Sequence, residues 1–372
     1  MEISRFQLIL GGVASKCPQL MHLLGKIESA WLNSRVSSVQ IKSPVFITGL
    51  ARSGTTILLD LLAQVPGVGT HRYKDFPLVH IPYWWNGFLH RAGARQVQPK
   101  ERAHQDGMYV TPDSPEAMEE LVWMSFFPAC HDPAQNNVFP RGMHAPKFET
   151  FYTDHIRKVL FMRQGTRYVS KGNYNITRLQ YIHSLFPEAK FLIPIREPAF
   201  HIASLRSQHE LFYLEESQNS NVMKYMQRAG HYEFGLDRRP INCGHQEQVQ
   251  RVQALWNEGR EVDGWAAYWA MIHDYLLQAL AADPMLAASC KLVSYSRFCS
   301  NPDHVLKDIL SFCSLDLSSQ VFEQMVSKVR NPTTRLGFSD AQLQRIEQEC
   351  SPVYSRIENL IAKNYHPTSP ES

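Results

Sequence analysis

The sequence predicts an α/β fold in which helices flank a central parallel sheet. Three observations lead there. An apolar run, Val45–Ile47, enters a glycine turn and then the apolar helical stretch "TTILLDLLAQV". A second unit sets the strand "RYVSKGN" (167–173), a helix over 175–186 and the strand "AKFLIPIREP" (189–198) within about 30 residues, the size of a parallel βαβ unit. A third places the strand "CKLVSYSRF" (290–298) before a helix over 301–315. Strands that alternate with helices build a parallel sheet with crossover helices.

In chain order, residues 18–33 have apolar positions at helical spacing and are expected to pack as a helix on the core. Their polar face carries few cations, which argues against a membrane-surface helix. Strand 45–48, loop 49–54 and helix 55–64 follow, stopped by Pro66-Gly67. Residues 73–95 are aromatic-rich and interrupted by Pro77 and Pro82, so an irregular ordered segment is expected. Its "IPYWW" offers either a stacking surface for an acceptor ring or an edge of the core. Residues 114–127 open on Ser with acids close behind, a helix start. Helices are expected over 151–164, 198–212, 264–280 and from 338 onward. The polar stretch 215–262 is expected as an insertion or lid, and its "DRRPIN" (237–242) as an anion site or a solvated loop. No repeat or linker interrupts the chain. A single domain over 1–372 is therefore expected, with an N-terminal helical segment over 1–43 and a flexible tail over 366–372.

Composition excludes several classes. At 44% hydrophobic and 20% charged residues the chain can bury a core. A net charge of +3 is too mild for a nucleic-acid partner. Seven cysteines, odd in number and without a C-x-x-C pair, read as reduced thiols and not as a zinc site. The first apolar stretch has no basic region before it, and no window approaches ~18 apolar residues. The expectation is a cytoplasmic protein with no transmembrane segment.

The chemistry begins at "GLARSGTT". Its spacing follows the phosphate-loop pattern G-x-x-x-x-G-K-[ST], with Thr55 where the lysine would stand. Backbone N–H groups of such a turn, backed by a helix N-terminus, hold an anion whatever the side chains are. In triphosphatases the lysine spans the β- and γ-phosphates and the hydroxyl holds Mg²⁺. Here the cation is Arg52, inside the loop. That suits a 5′-phosphate linked to another anion and argues against Mg-ATP. A phosphotransferase of the P-loop kinase type, or a non-catalytic nucleotide-binding protein, is the alternative. Arg196 closes the apolar strand where parallel sheets bind ligands, with Ser204 on the next helix, a pair suited to a further phosphate. Lys171 ends another strand.

Together, "GLARSGTT", "FPEAKFLIPIREP" with Ser204, and "KLVSYSRFCSNPDHVLKDILSF" resemble the sulfotransferase family, in its bacterial and tyrosylprotein-type branch. The resemblance covers roughly 44–65, 167–210 and 290–315. It implies a P-loop-like three-layer fold, 3′-phosphoadenylyl sulfate (PAPS) as donor, PAP as product and no metal. Arg52, Ser53, Gly54, Thr55 and Thr56 would hold the 5′-phosphosulfate, and Arg196 with Ser204 the 3′-phosphate. Arg52, with Thr55 and Thr56 as donors, would stabilise charge on the bridging oxygen as the S–O bond breaks, and Lys171 resembles the family's catalytic strand-end lysine near the reacting sulfate. Two departures stand out. Ala51 replaces the proline usual before the loop arginine, and the glutamate that follows the loop in the tyrosylprotein-type enzymes has no counterpart in "THRYKDFP". For the general base, Asp75 is the first candidate and His71 the second, with His80, His104 and Asp106 behind them. The expected acceptor is a hydroxyl of a carbohydrate or glycolipid.

Overall fold

A computed structural model describes residues 5–93, 98–330 and 336–363; the tail expected over 366–372 lies outside them. Helices α1 (Arg5–Lys16) and α2 (Pro18–Val36) precede β1 (Val45–Ile47). After the glycine loop come α3 (Thr55–Leu62), β2 (Val68–Gly69), α4 (Pro82–Arg91), β3 (Lys100–Glu101), β4 (Tyr109–Val110), α5 (Glu120–Phe126) and α6 (Pro146–Arg163). The expected βαβ unit is β5 (Arg167–Lys171), α7 (Leu179–Leu185) and β6 (Lys190–Ile195). Then α8 (Pro198–Gln218), α9 (Ser220–Ala229), α10 (Gln246–Asn257), α11 (Glu261–Ala282) and α12 (Pro284–Ala288) lead to β7 (Cys290–Ser294). The chain closes with α13 (Tyr295–Ser300), α14 (Pro302–Cys313), α15 (Ser319–Lys328) and α16 (Asp340–Lys363).

Five strands pair in the order β2-β5-β1-β6-β7, all parallel. Ile47 lies opposite both Lys171 and Leu192, and Ile195 opposite Ser294. Four strands therefore end on one edge, and that edge sets the site. Side chains alternate across the sheet, as the period of a strand demands. Phe46, Tyr168, Phe191 and Ile193 enter one core with α6, α8 and α11; Val45, Ile47, Val169, Leu192 and Val293 enter another under α3, α14 and α15. Each such fully buried side chain contributes roughly 1.5–3 kcal/mol. The result is three layers, helix–sheet–helix, as the sequence predicts. Among the described residues, no helix is long and apolar enough to cross a membrane.

Four local expectations change. Pro82, expected to interrupt the chain, is the first residue of α4, and α2, α6, α8, α12 and α14 also open on proline. At that position the missing N–H costs nothing and φ is already helical. The helix expected from Ser114 starts at Glu120, because 112–116 pair with 71–74: Tyr73 donates to the Ser114 carbonyl (3.1 Å) and Glu116 to that of His71 (3.0 Å). The strand over 290–298 ends at Ser294, whose hydroxyl caps α13. The helix over 175–186 is a 3₁₀ turn (Asn173–Thr177) followed by α7.

Candidate active site at the carboxyl edge of the sheet

The loop between β1 and α3 is shaped by three left-handed residues, Gly49 (φ 139°), Arg52 (φ 69°) and Gly54 (φ 112°). A Cβ on Gly54 would lie 2.5 Å from the Tyr295 ring, so only glycine fits there. Arg52 has no such freedom, and its strained backbone is held from outside. Its carbonyl accepts Arg196 Nη1–H (3.2 Å). The Ala51 carbonyl accepts His201 Nε2–H (2.8 Å), and His201 Nδ1 accepts the Trp269 indole N–H (3.1 Å). Burial holds His201 well below the ordinary histidine pKa, in keeping with a neutral ring that donates at one nitrogen and accepts at the other. No side chain caps α3, whose first N–H groups open onto the loop, and the buried Ser53 Oγ has no partner. An uncapped helix start and an orphaned hydroxyl in one Gly-rich turn fit an anionic group.

Arg52 projects across this loop. Its Nε donates to Ser204 Oγ (3.3 Å) and its Nη1 to Asp106 Oδ2 (2.7 Å). Asp106 is also gripped through both oxygens by Arg102, whose Nη1 reaches Thr56 Oγ1 (3.3 Å). Burial alone would raise the Asp106 pKa, but the two guanidiniums hold its carboxyl well below the usual carboxylate range. Thr55 Oγ1 donates to Asn173 Oδ1 (3.4 Å), and Asn173 Nδ2 to Glu233 (2.8 Å). Lys171 ends β5 beside them, nearly buried; burial lowers its pKa and Glu116 opposes the shift. The guanidinium of Arg196 lies over the Tyr295 ring (5.3 Å).

Arg52, Thr55, Thr56, Arg102, His104, Lys171, Asn173, His231 and Glu233 thus share one pocket. His104 and Arg102, with Met226 and His231, also line a second cavity of about 590 Å³, walled by Tyr73, Met118, Phe212 and Tyr225, with Glu116 inside. Its volume suits a small-molecule acceptor. His104 stands between the two. Its Nδ1 is buried without a partner, its ring meets Phe212 edge-on (5.2 Å), and burial with the nearby Arg102 and Arg52 holds it well below the ordinary histidine pKa. The shift favours the neutral imidazole, and Nδ1 is left without a hydrogen-bond partner. His231 differs: burial pushes its pKa down, but Glu233, 3.6 Å away, more than offsets that and leaves it raised.

The structure brings Arg52, Ser53, Gly54, Thr55, Thr56, Lys171, Arg196 and Ser204 together at this edge, with Asp106 among them. Asp75 and His71 lie elsewhere. Asp75 is fully buried and accepts from His71 Nδ1 (3.0 Å), the Arg72 amide (3.0 Å), Asn86 (2.9 Å) and Arg163 (2.6 Å), while His71 Nε2 meets His155 Nε2 (2.9 Å). All its lone pairs are used, and neither residue lines a described pocket. The assignment of either as base is corrected on that ground. His80 is buried against Ser125 (3.0 Å), also outside the site. Tyr83, Trp84 and Trp85 of "IPYWW" pack on Trp31 and Phe6, not on an acceptor cavity. In "DRRPIN", Arg238 pairs with Glu261 (2.7 Å) and Arg239 with Asp237 (2.8 Å). Sequence reasoning passed over Arg102, Asn173, His231, Glu233 and Tyr295; Asn173 and Tyr295 stand inside quoted motifs, whereas Arg102 carries no signal but its nearness to His104.

Residues 44–238 match the model of a family described as the sulfotransferase family. No curated protein sequence matches the chain. Similar solved structures include the sulfotransferase STF1 from Mycobacterium tuberculosis (17% identity, 91% of this chain and 87% of that one, TM-score 0.46). Two others are STF9 from Mycobacterium avium (14%, 90% and 81%, 0.48) and a sulfotransferase from Alicyclobacillus acidocaldarius (15%, 87% and 97%, 0.39).

Proposed function

This chain belongs to the sulfotransferase family, and on that premise we propose that it moves a sulfuryl group from PAPS to an acceptor hydroxyl, with His104 as general base. PAPS supplies the activated sulfuryl group. What supports this donor is the loop: an Arg-bearing, lysine-free phosphate loop with an orphaned Ser53 hydroxyl and an uncapped α3. Arg196 and Ser204 bind and orient the 3′-phosphate beside that loop. Arg52, Lys171 and the first amides of α3 oppose charge on the bridging oxygen. Arg102 reaches the same loop through Thr56 and holds the Asp106 carboxylate against Arg52.

The acceptor enters the larger cavity, and His104, which lines it, takes its proton. A depressed pKa leaves the ring one unprotonated nitrogen at neutral pH, which is the first requirement of a base, and positioning supplies much of the rest. The aromatic walls suit a carbohydrate ring or the apolar part of a glycolipid. The seven free cysteines suit the reducing cytoplasm. The single observation that carries the mechanism is His104, unpartnered and shared by both pockets.

The test is transfer of labelled sulfate from PAPS to a panel of hydroxyl-bearing carbohydrates, glycolipids and phenols. Label should reach at least one of them without added metal, and Arg52→Ala should cut the rate about 10²–10³-fold. Phosphate transfer from Mg-ATP with no sulfate transfer would overturn the reading.

A further inference from the structure

Helix α2 is apolar on two sides. One side packs on the core through Met21, Leu32 and Val36, and its Glu28 pairs with Lys158 (2.9 Å) and accepts the Trp84 amide (2.7 Å). The other side carries Leu20, Leu23, Ile27 and Trp31 at spacings of three and four, one face of a helix, and all four are exposed, Trp31 by 58%. Helix α1 repeats the pattern with exposed Phe6, Ile9 and Val13. Aromatic contacts of α4 join the two stripes. Phe6 stacks on Trp85 (6.3 Å), Trp85 on the exposed Phe88 (5.6 Å), and Trp31 tilts against Tyr83 (5.9 Å). Lone exposed apolar residues are ordinary, whereas a contiguous patch marks an interaction surface.

Charge decides what covers it. Among the described side chains of α1, α2 and α4, the exposed full charges are Lys16, Lys26, Arg35 and Arg91, all basic, and the one acid, Glu28, is buried. The Arg35 guanidinium lies over the Trp31 ring (5.8 Å). A two-fold contact between copies would set this patch against itself and bring cation against cation. An anionic lipid surface complements it instead: apolar side chains enter the acyl boundary, Trp sits at headgroup level, and Lys and Arg reach the phosphates.

We propose that α1, α2 and α4 form a docking face for an anionic membrane surface. The sequence of α2 alone has few cations; α1 and α4 add Lys16, Arg91 and most of the remaining apolar area. The face also adjoins the acceptor cavity. Arg228 of α9 donates to the Leu8 carbonyl of α1 (2.6 Å), and Tyr225, Met226 and Ala229 of α9 line that cavity. Docking thus sets a lipid surface one helix away from His104. The proposal stands independently of the donor assignment.

Co-sedimentation of the full chain with vesicles tests it. The protein should pellet with phosphatidylcholine vesicles containing phosphatidylserine, not with phosphatidylcholine alone, and raised salt should release it. Leu23→Glu/Ile27→Glu should lower binding about tenfold or more while the circular dichroism spectrum is kept, because a charge replaces the inserted apolar groups. Lys16→Ser/Lys26→Ser/Arg35→Ser, confined to exposed side chains, should weaken binding to the anionic vesicles as well, and it carries the test if the first variant misfolds. Three results would overturn the proposal. These are wild-type protein that stays in the supernatant, binding that neither variant reduces, and a dimer in solution that Leu23→Glu/Ile27→Glu dissociates.

Discussion

Two histidine–aspartate pairs lie close together in this sequence, His71 with Asp75 and His104 with Asp106, and the fold uses them in opposite ways. In the first, every polar atom of the aspartate is answered: Asp75 takes His71, Asn86, Arg163 and a backbone amide in full burial. In the second, the aspartate is answered by Arg52 and Arg102, and the histidine keeps a buried nitrogen with no partner between two cavities. The first pair holds a turn together. The second leaves a histidine beside two cavities with a nitrogen that no group answers. Residue type does not separate the two; the partners do.

The comparison can be broken by substitution, and the largest effect belongs to His104. His104→Gln should cut turnover by about 10²–10⁴, the range for a general base, with little change in thermal stability. Transfer rates in that variant within a factor of two of wild type would remove His104 from the mechanism. Asp75→Ala should act the other way round. It leaves Arg163 and His71 facing an empty site, and breaking such a buried pair costs about 3–5 kcal/mol by chemical denaturation. The fraction that remains folded should turn over normally. Arg52→Ala comes next, with a loss in kcat of about 10²–10³ for one transition-state donor, measured under saturating donor.

The smallest effect is in pH, and it sharpens the contrast. Burial holds His104, His155 and His201 well below the ordinary value of about 6.5, so in acid the unfolded chain takes up protons that the folded chain refuses. Stability must then rise with pH between those depressed values and 6.5, by roughly 1 kcal/mol per histidine from 5.5 to 6.5. Asp75 works in a lower window. Burial would raise its pKa, but His71, Arg163 and Asn86 hold it below the carboxylate range, so its contribution is present above about 3.9 and lost below. Denaturation midpoints from pH 4 to 7 should show the histidine slope, and that slope should shrink in His104→Gln.

Much of the site was legible because parallel topology decides it. Strands ending in Arg196 and Lys171 and a loop bearing Arg52 must meet at one carboxyl edge once they pair in parallel, and Ser204 follows one helical segment later. The base was not legible. Asp75 is silenced by Arg163, 88 residues away, and His71 by His155, 84 residues away. No local pattern reports such partners. Arg102 and His104 sit beside the short β3–β4 ribbon, too brief to leave a periodic trace. Pro82 shows the same ambiguity at the level of helices, since proline both breaks a helix and begins one.

Sulfuryl transfer at this edge requires a loop built for a donor with no γ-phosphate. Isothermal titration with adenosine 3′,5′-bisphosphate tests that directly, in the presence of a metal chelator. Binding should need no Mg²⁺, be unchanged in Asp75→Asn, and weaken about 10- to 100-fold in Arg196→Ala, the cost of one charged hydrogen-bond partner. Preferential binding of Mg-ATP, with Arg196→Ala indistinguishable from wild type, would contradict it.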